Sequence, residues 1–364
     1  QFEANKHNHL CPYVQSLADQ VRTAFADTLG STRILDVPLY LGEGDTLVRR
    51  GFASLGRRLG ASRRQIRQAL HEAWATQEAF EAALVQEGRR ILSSLPADGR
   101  LFVLVSRPYN GCDGGMNLDL PGKLADLGVP IMPMDMLDLS AAPLTDPHLH
   151  GRTYWVYGQK ILRAAEIVRD DPRLFAVYLS NFSCGPDSFI QTFFKDLMHN
   201  KPALLLELDE HSADAGLITR LEAFLESLKH YPSQRVARPM PRAAGSLRGR
   251  TLYIPYMGDA AYGMAACFRA YGQDAQVMPV AEETTLLEGR RLTTGKECLP
   301  CAIVIGEMMK VVQAEGFDPD RAAFFMPAAA GPCRFGMYNL LQRLVLRQNL
   351  SLIHISEPTR LRRI

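Results

Sequence analysis

The chain has 364 residues, and its 41 Lys plus Arg against 39 Asp plus Glu leave a formal charge of +2. No basic block longer than Arg63-Arg64 or Arg290-Arg291 marks a nucleic-acid face. Apolar residues at 47% and charged residues at 22% exclude global disorder, and domains of about 100–200 residues make two α/β units the expectation. Seven cysteines are too few for a disulfide-stapled secreted fold, and no apolar stretch approaches the ~20 residues of a membrane-spanning helix. With no basic-then-apolar leader, a soluble cytoplasmic protein with reduced, metal-binding or redox thiols is expected.

The chain opens on Gln1, and His7-Asn8-His9-Leu10-Cys11-Pro12 follows almost at once, so a missing upstream part of a longer protein is expected. The first predicted strand spans residues 34–40. Residues 62–95 predict a long helix, with Ser62 able to cap it and Ile66, Leu70, Trp74, Phe80 and Leu84 recurring at near-helical spacing. That helix is expected as an insertion at a sheet edge. Short apolar runs at 101–106, 129–134, 174–181, 203–208, 251–256, 275–280 and 323–327 predict further strands. Their alternation with helical stretches such as 216–228 and 303–312 predicts parallel sheets flanked by helices.

Between His230 and Arg250 the text changes to Pro232, Pro239, Pro241 and Gly245 among Arg and Ser, the best domain boundary. The expected organisation is an N-terminal domain over 1–231, a linker over 232–250 and an incomplete second α/β lobe over 251–350. The tail 351–364 resembles a translated sequencing-library adapter and is read as non-native.

The cysteines carry the chemistry. Cys184 follows the strand at 174–181 and precedes a helix that Pro186 can open and Asp187 can stabilise by charge. Cys333 stands in the same relation to the strand at 323–327 and to a helix running through Tyr338, Leu341 and Leu344. Cys298 and Cys301, in Cys-Leu-Pro-Cys, precede the helical stretch 303–312. Thiols at helix N-termini meet a field that favours thiolates and anions, and ligands in open α/β sheets bind at the strands' carboxyl ends. On this pattern an iron–sulfur cluster, a zinc site and a dithiol redox pair all remain open. Cys267, in Ala265-Ala-Cys-Phe268, reads as a buried helix residue, and Cys112 sits in the permissive loop Asn110-Gly-Cys-Asp-Gly-Gly115.

Several longer strings look like one group: Arg107-Pro-Tyr-Asn110, Leu118-Asp-Leu-Pro-Gly-Lys-Leu124, Pro133-Met-Asp-Met136, Asn181-Phe-Ser-Cys-Gly-Pro-Asp-Ser-Phe189, Glu207-Leu-Asp-Glu-His-Ser-Ala-Asp-Ala-Gly216, Gly295-Lys-Glu-Cys-Leu-Pro-Cys301 and Gly331-Pro-Cys-Arg-Phe-Gly336. They resemble the acyl-CoA dehydratase activase-related family, whose large members join ATP-dependent activase modules to a region similar to 2-hydroxyacyl-CoA dehydratase subunits. The resemblance runs from Cys11 to Leu350 and matches the part that lies after the activase modules. It implies two Rossmann-like lobes, the first cluster-binding, with a [4Fe–4S] or double-cubane cluster and a role in low-potential electron transfer. Cys11, Cys184, Cys298, Cys301 and Cys333 match positions in the family's motifs and are the implied metal ligands. Cys112 departs from that pattern, and Cys267 lies outside it. Five thiolates suffice for one four-iron cluster, which takes four, and fall short of two independent ones.

Other groups also have the chemistry of ligands or binders. Asp209, Glu210, His211 and Asp214 at a strand end could hold a metal, but side chains capping the helix at 216–228 are the favoured reading. Arg107, Tyr109 and Asn110 could bind an acyl-CoA substrate or a partner, or simply order their loop. No phosphate-binding Gly-rich loop and no Gly-x-Ser-x-Gly turn occurs, so neither an ATPase site nor a serine nucleophile is expected. The resulting expectation is an iron–sulfur component that works with ATP-dependent activase modules, in the same chain or a separate subunit. A dehydratase-like catalytic subunit acting on a 2-hydroxyacyl-CoA, or a noncatalytic zinc or scaffold protein, are the alternatives, with a homodimer left open.

Overall fold

The computed structural model describes residues 9–39, 45–141, 144–146, 148–149, 151–231, 246–329 and 331–349. The tail 351–364, the core of the expected linker at 232–245 and the segment His7-Asn8 lie outside the described residues. The chain divides into two compact units. The first comprises Gln1–Thr145, Thr153–Cys184 and Phe194–Arg238, and the second Asp146–Arg152, Gly185–Phe193 and Pro239–Ile364.

In the first unit, helices α1 (Pro12–Gln15), α2 (Leu17–Ala24), α3 (Asp45–Arg58) and α4 (Arg63–Ser94) precede strand β1 (Leu101–Ser106). Then come α5 (Pro108–Gly111), α6 (Leu120–Asp126), β2 (Ile131–Pro133), α7 (Val156–Asp170) and β3 (Leu174–Asn181). Helix α8 (Asp187–Met198), whose residues up to Phe193 belong to the second unit, β4 (Ala203–Leu208) and α9 (Asp214–Leu228) complete the series. The four strands are parallel in the order β2-β1-β3-β4. Every residue of β1 is buried and all but the last of β3, as continuous apolar runs require when helices cover both faces of a parallel sheet. One face buries Phe102, Leu104, Phe175, Val177 and Leu179 against Leu120 and Leu124 of α6 and Leu217, Leu221 and Phe224 of α9. Helix α7 packs against β1 and β3.

The long helix is legible from both of its ends. Ser62 Oγ accepts from Gln65 N–H while Gln65 Oε1 accepts from Ser62 N–H, a reciprocal cap, and Leu95 closes the other end. Its contact with the sheet is narrow. Of the predicted apolar stripe Ile66 is buried, Leu70, Trp74 and Leu84 are half-buried, and Phe80 is exposed. A Cβ at Gly88 would lie 1.9 Å from the Met136 carbonyl oxygen, so glycine lets α4 touch the 3-10 turn Met134–Met136 that follows edge strand β2. The predicted strand at 34–40 is absent over its described residues 34–39. Pro38 lacks the N–H a ladder needs, and the segment instead runs past α3, where a Cβ at Gly51 would meet the Pro38 carbonyl at 3.1 Å.

The second unit holds β5 (Thr251–Ile254), α10 (Ala260–Ala270), β6 (Ala275–Val277), α11 (Glu283–Arg291), α12 (Leu299–Val312), β7 (Ala322–Phe324) and α13 (Tyr338–Asn349). Its sheet is parallel in the order β6-β5-β7, with Leu252, Ile254, Ala275, Ala323 and Phe325 packed against Ala261 and Ala265 of α10. In both units the chain's winding reverses beside the first strand, between β1 and β3 and between β5 and β7. Crevices outside the carboxyl ends at such reversals are where open α/β sheets place ligands.

Candidate functional site

In the second unit three thiols reach the carboxyl edge from two directions. Cys298 is the N-cap residue of α12, with extended backbone at φ −65° and ψ 144°, and Pro300 fits the first turn because its missing N–H would have had no partner there. Cys301, one turn in, donates its N–H to the Cys298 carbonyl at 2.9 Å and is fully buried. Beyond β7 the chain passes Gly331-Pro332 to Cys333, which caps the 3-10 turn Arg334–Met337 that leads into α13. Cys333 is exposed and Cys298 half-buried. No side chain caps α12, so its free N–H groups leave a positive potential beside Cys298.

Tyr338 contacts one of these thiols and feels the other two. Its hydroxyl lies 2.7 Å from Cys298 Sγ, and its ring stacks on Phe189 at 6.0 Å between centroids, 16° from parallel. Burial pushes the Tyr338 phenol up, and its bond to Cys298 and the fields of Cys298, Cys301 and Cys333 push it further. Burial likewise drives the Cys301 thiol well above its ordinary range, with Cys298 and Glu297 adding to the shift and Arg334 opposing it. A thiolate at Cys301 is therefore unfavourable unless a cation shares its pocket, so this sulfur is either a neutral thiol or a metal ligand.

Two cationic side chains belong to the segments that carry the thiols. Arg334 Nη1 donates to Ser188 Oγ at 3.1 Å and to the Lys296 carbonyl at 3.4 Å, and Lys296 Nζ donates to Gln191 Oε1 at 3.0 Å. Glu297 turns back to accept from Thr294 N–H and Oγ, both at 3.0 Å, which shapes the loop leading into Cys298. Soft sulfur donors, a helix N-terminus and a guanidinium together suit an anionic thiolate-ligated group. A tetrahedral zinc ion with Zn–S bonds of ~2.3 Å would hold its sulfurs about 4 Å apart. The three thiols are not drawn that close: among the described residues only Asp209, Glu210 and His211 gather three such ligand atoms within 4.8 Å of one another.

The remaining cysteines sit elsewhere. In the first unit Cys184 is half-buried just past β3, its N–H donating to the Asn181 carbonyl at 3.2 Å. Ser183 before it holds φ at +62°, a left-handed conformation uncommon for a residue other than glycine. Helix α8 opens after Pro186 with Asp187 in its first turn, as expected. Cys11, half-buried, is the N-cap residue of the short helix α1. Cys112 is exposed at the C-terminal end of α5, where burial and then the Asp135 carboxylate push its thiol up, which disfavours the ligating form. Cys267 corrects the sequence reading: it is exposed, because α10 buries Ala261 and Ala265 and a residue two places on lies about 200° around the helix.

Of the suggested substrate or partner residues, Arg107 and Asn110 are buried and Tyr109 is half exposed to solvent. The loop after β1 is pinned by Asn117 Nδ2, which donates to the Gly111 carbonyl at 2.8 Å, while Asn110 Oδ1 has no hydrogen-bond partner. Sequence reasoning missed the groups beside it: Lys160 Nζ lies 3.4 Å from Asp135 Oδ1 and 5.0 Å from the Tyr157 ring centroid. Burial and then Asp135 raise the Tyr157 phenol, whereas Arg107 lowers it. It also missed Tyr338, Arg334 and Glu307, although Glu307 was readable as the one acid in the apolar run Ala302-Ile-Val-Ile-Gly-Glu-Met-Met309.

Two further groups are accounted for structurally. Asp209, Glu210 and His211 are exposed, and Asp209 Oδ1 accepts from His211 N–H at 3.0 Å and from Ser212 Oγ at 2.9 Å. These side chains close a turn ahead of α9 rather than capping it as expected, since the N-cap is Ala213 with no side-chain bond and only Asp214 lies in the first turn. In the first unit a cleft of about 780 Å³ lined by Glu166, Asp170, Asp171 and Arg173 opens at the amino end of β3. Its acids serve the fold: Glu166 accepts from Thr145 N–H and Oγ, and Asp171 pairs with Arg173 at 2.7 Å.

No helix among the described residues is long and apolar enough to cross a membrane. No curated protein and no solved structure matches the chain. The family model described as CoA enzyme activase uncharacterised domain (DUF2229) matches residues 1–137, which contain Cys11, Arg107, Tyr109 and Asn110 but none of the thiols around Tyr338. In agreement with the resemblance carried by its motifs, residues 1–137 are thus similar to a domain described for CoA enzyme activases.

Proposed function

We propose that this protein is an iron–sulfur component of an acyl-CoA dehydratase or reductase activase system, carrying low-potential electrons between an ATP-dependent activase module and a CoA-linked acceptor. The observation that carries the reading is Cys298 at the uncapped N-terminus of α12, its Sγ 2.7 Å from the buried Tyr338 hydroxyl, with Cys301 one turn further on and Cys333 as the N-cap residue of the 3-10 turn that leads into Tyr338's helix. The activase-related match over residues 1–137 supports the partner class.

A [4Fe–4S] cluster takes four thiolates and supplies one-electron transfer when bound. Cys298, Cys301 and Cys333 would provide three ligands, and the family resemblance implies the same role for Cys184 and Cys11. The chain's own contribution would be electrostatic: the uncapped N-terminus of α12 begins at Cys298, Arg334 would offset thiolate charge at Cys301, and burial of Cys301 lowers the local dielectric. Arg107, Tyr109 and Asn110 remain the candidates for contact with an acyl-CoA or a partner. Anaerobic purification followed by iron, acid-labile sulfide and spin-resonance measurement after chemical reduction tests the proposal. Near-equal iron and sulfide with a reduced-cluster signal supports it, and stoichiometric zinc without sulfide overturns it.

A further inference from the structure

The Tyr338 hydroxyl and Cys298 Sγ, 2.7 Å apart, form a side-chain hydrogen bond at a sulfur of the candidate centre. The phenol is held there rather than resting there by chance. The residue is 4% exposed, its ring stacked on Phe189 and within 5.2 Å of the Phe335 ring between centroids. Either group could donate the proton when Cys298 is a free thiol. A metal-bound sulfur carries none, so there the phenol must donate.

Hydrogen bonds to a cluster's sulfurs are among the protein's means of setting its reduction potential. A donor withdraws charge from the ligand sulfur, and the reduced state, which is more negative, gains more from it. We infer that Tyr338 is a positioning residue that raises the reduction potential of the centre held by Cys298, Cys301 and Cys333. The inference rests on the cluster reading proposed above. One electron enters from a low-potential one-electron donor, no covalent bond forms or breaks, and the phenol keeps its proton on Oη throughout.

The test is an anaerobic potentiometric titration of the full chain, with iron and sulfide measured on each sample. Tyr338→Phe keeps the ring contacts with Phe189 and Phe335 and should retain iron and sulfide while lowering the midpoint potential. The expected size is about tenfold in the reduction equilibrium, equivalent to 59 mV for one electron. Placing 3-fluorotyrosine, a more acidic phenol, at position 338 should shift the midpoint the opposite way, and this variant decides the matter if Tyr338→Phe does not fold. A packing role would change the melting temperature and leave both midpoints where the wild type has them. Unchanged midpoints in cluster-loaded variants overturn this inference alone. A wild-type protein without acid-labile sulfide overturns the cluster reading and this inference with it.

Discussion

Gly289 and Gly306 let α11 and α12 cross backbone against backbone. A Cβ at Gly289 would lie 1.8 Å from the Ala302 carbonyl oxygen, and one at Gly306 would lie 1.9 Å from that of Thr285. The crossing fixes the helix that presents Cys298 and Cys301. Gly306→Ala should therefore cost at least the ~1–3 kcal/mol typical of overpacking, because the atoms it meets are backbone and cannot rotate away. Urea denaturation would measure it, and a variant as stable as the wild type would show that the two helices are not in backbone contact.

Glu307 makes stability depend on pH. It is fully buried, its Oε2 accepts from Tyr256 N–H at 3.1 Å, its Oε1 has no hydrogen-bond partner, and burial pushes its carboxyl up to about 7 from 4.5. Between those values the folded protein holds a proton that the unfolded chain has released. The contribution is thus fully present below pH 4.5, declines as pH rises, and is lost above about 7, a difference of roughly 3 kcal/mol. Glu307→Gln should remove that decline and be the more stable protein at pH 8. Parallel pH profiles for wild type and variant would contradict the assignment.

Gly88→Ala should loosen the long helix from the sheet edge, because its Cβ would overlap the Met136 carbonyl. The expected cost is about 1–3 kcal/mol, with faster hydrogen exchange in α4. Exchange unchanged along α4 would mean that the helix is held by other contacts.

Much of the fold was readable because its signals are local and redundant. Residues 101–106, 174–181 and 203–208 were bounded correctly, since buried parallel strands are unbroken apolar runs between turn residues. Ser62 marked the start of the long helix, although the apolar period suggested more burial than Phe80 receives. The strand expected at 34–40 failed because propensity outvoted a single proline. At the site, Cys298, Cys301 and Cys333 were visible as cysteines before helices, a pattern with a physical cause. Tyr338 was not, because an aromatic at the start of a helix reads as core until its hydroxyl is seen to meet a sulfur. Lys160 and Asp135 were missed for a related reason, since their pairing joins a helix to a distant strand end and leaves no spacing in the sequence.

Cysteine-by-cysteine substitution with anaerobic iron and sulfide analysis tests the central claim most directly. The account predicts that Cys298→Ser, Cys301→Ser, Cys333→Ser and Cys184→Ser each lose or alter the cluster, that Cys11→Ser weakens it, and that the exposed Cys112→Ser and Cys267→Ser variants keep wild-type iron and sulfide. Full cluster content after removal of two or more of Cys184, Cys298, Cys301 and Cys333, or its loss on removal of Cys112 or Cys267, would contradict it.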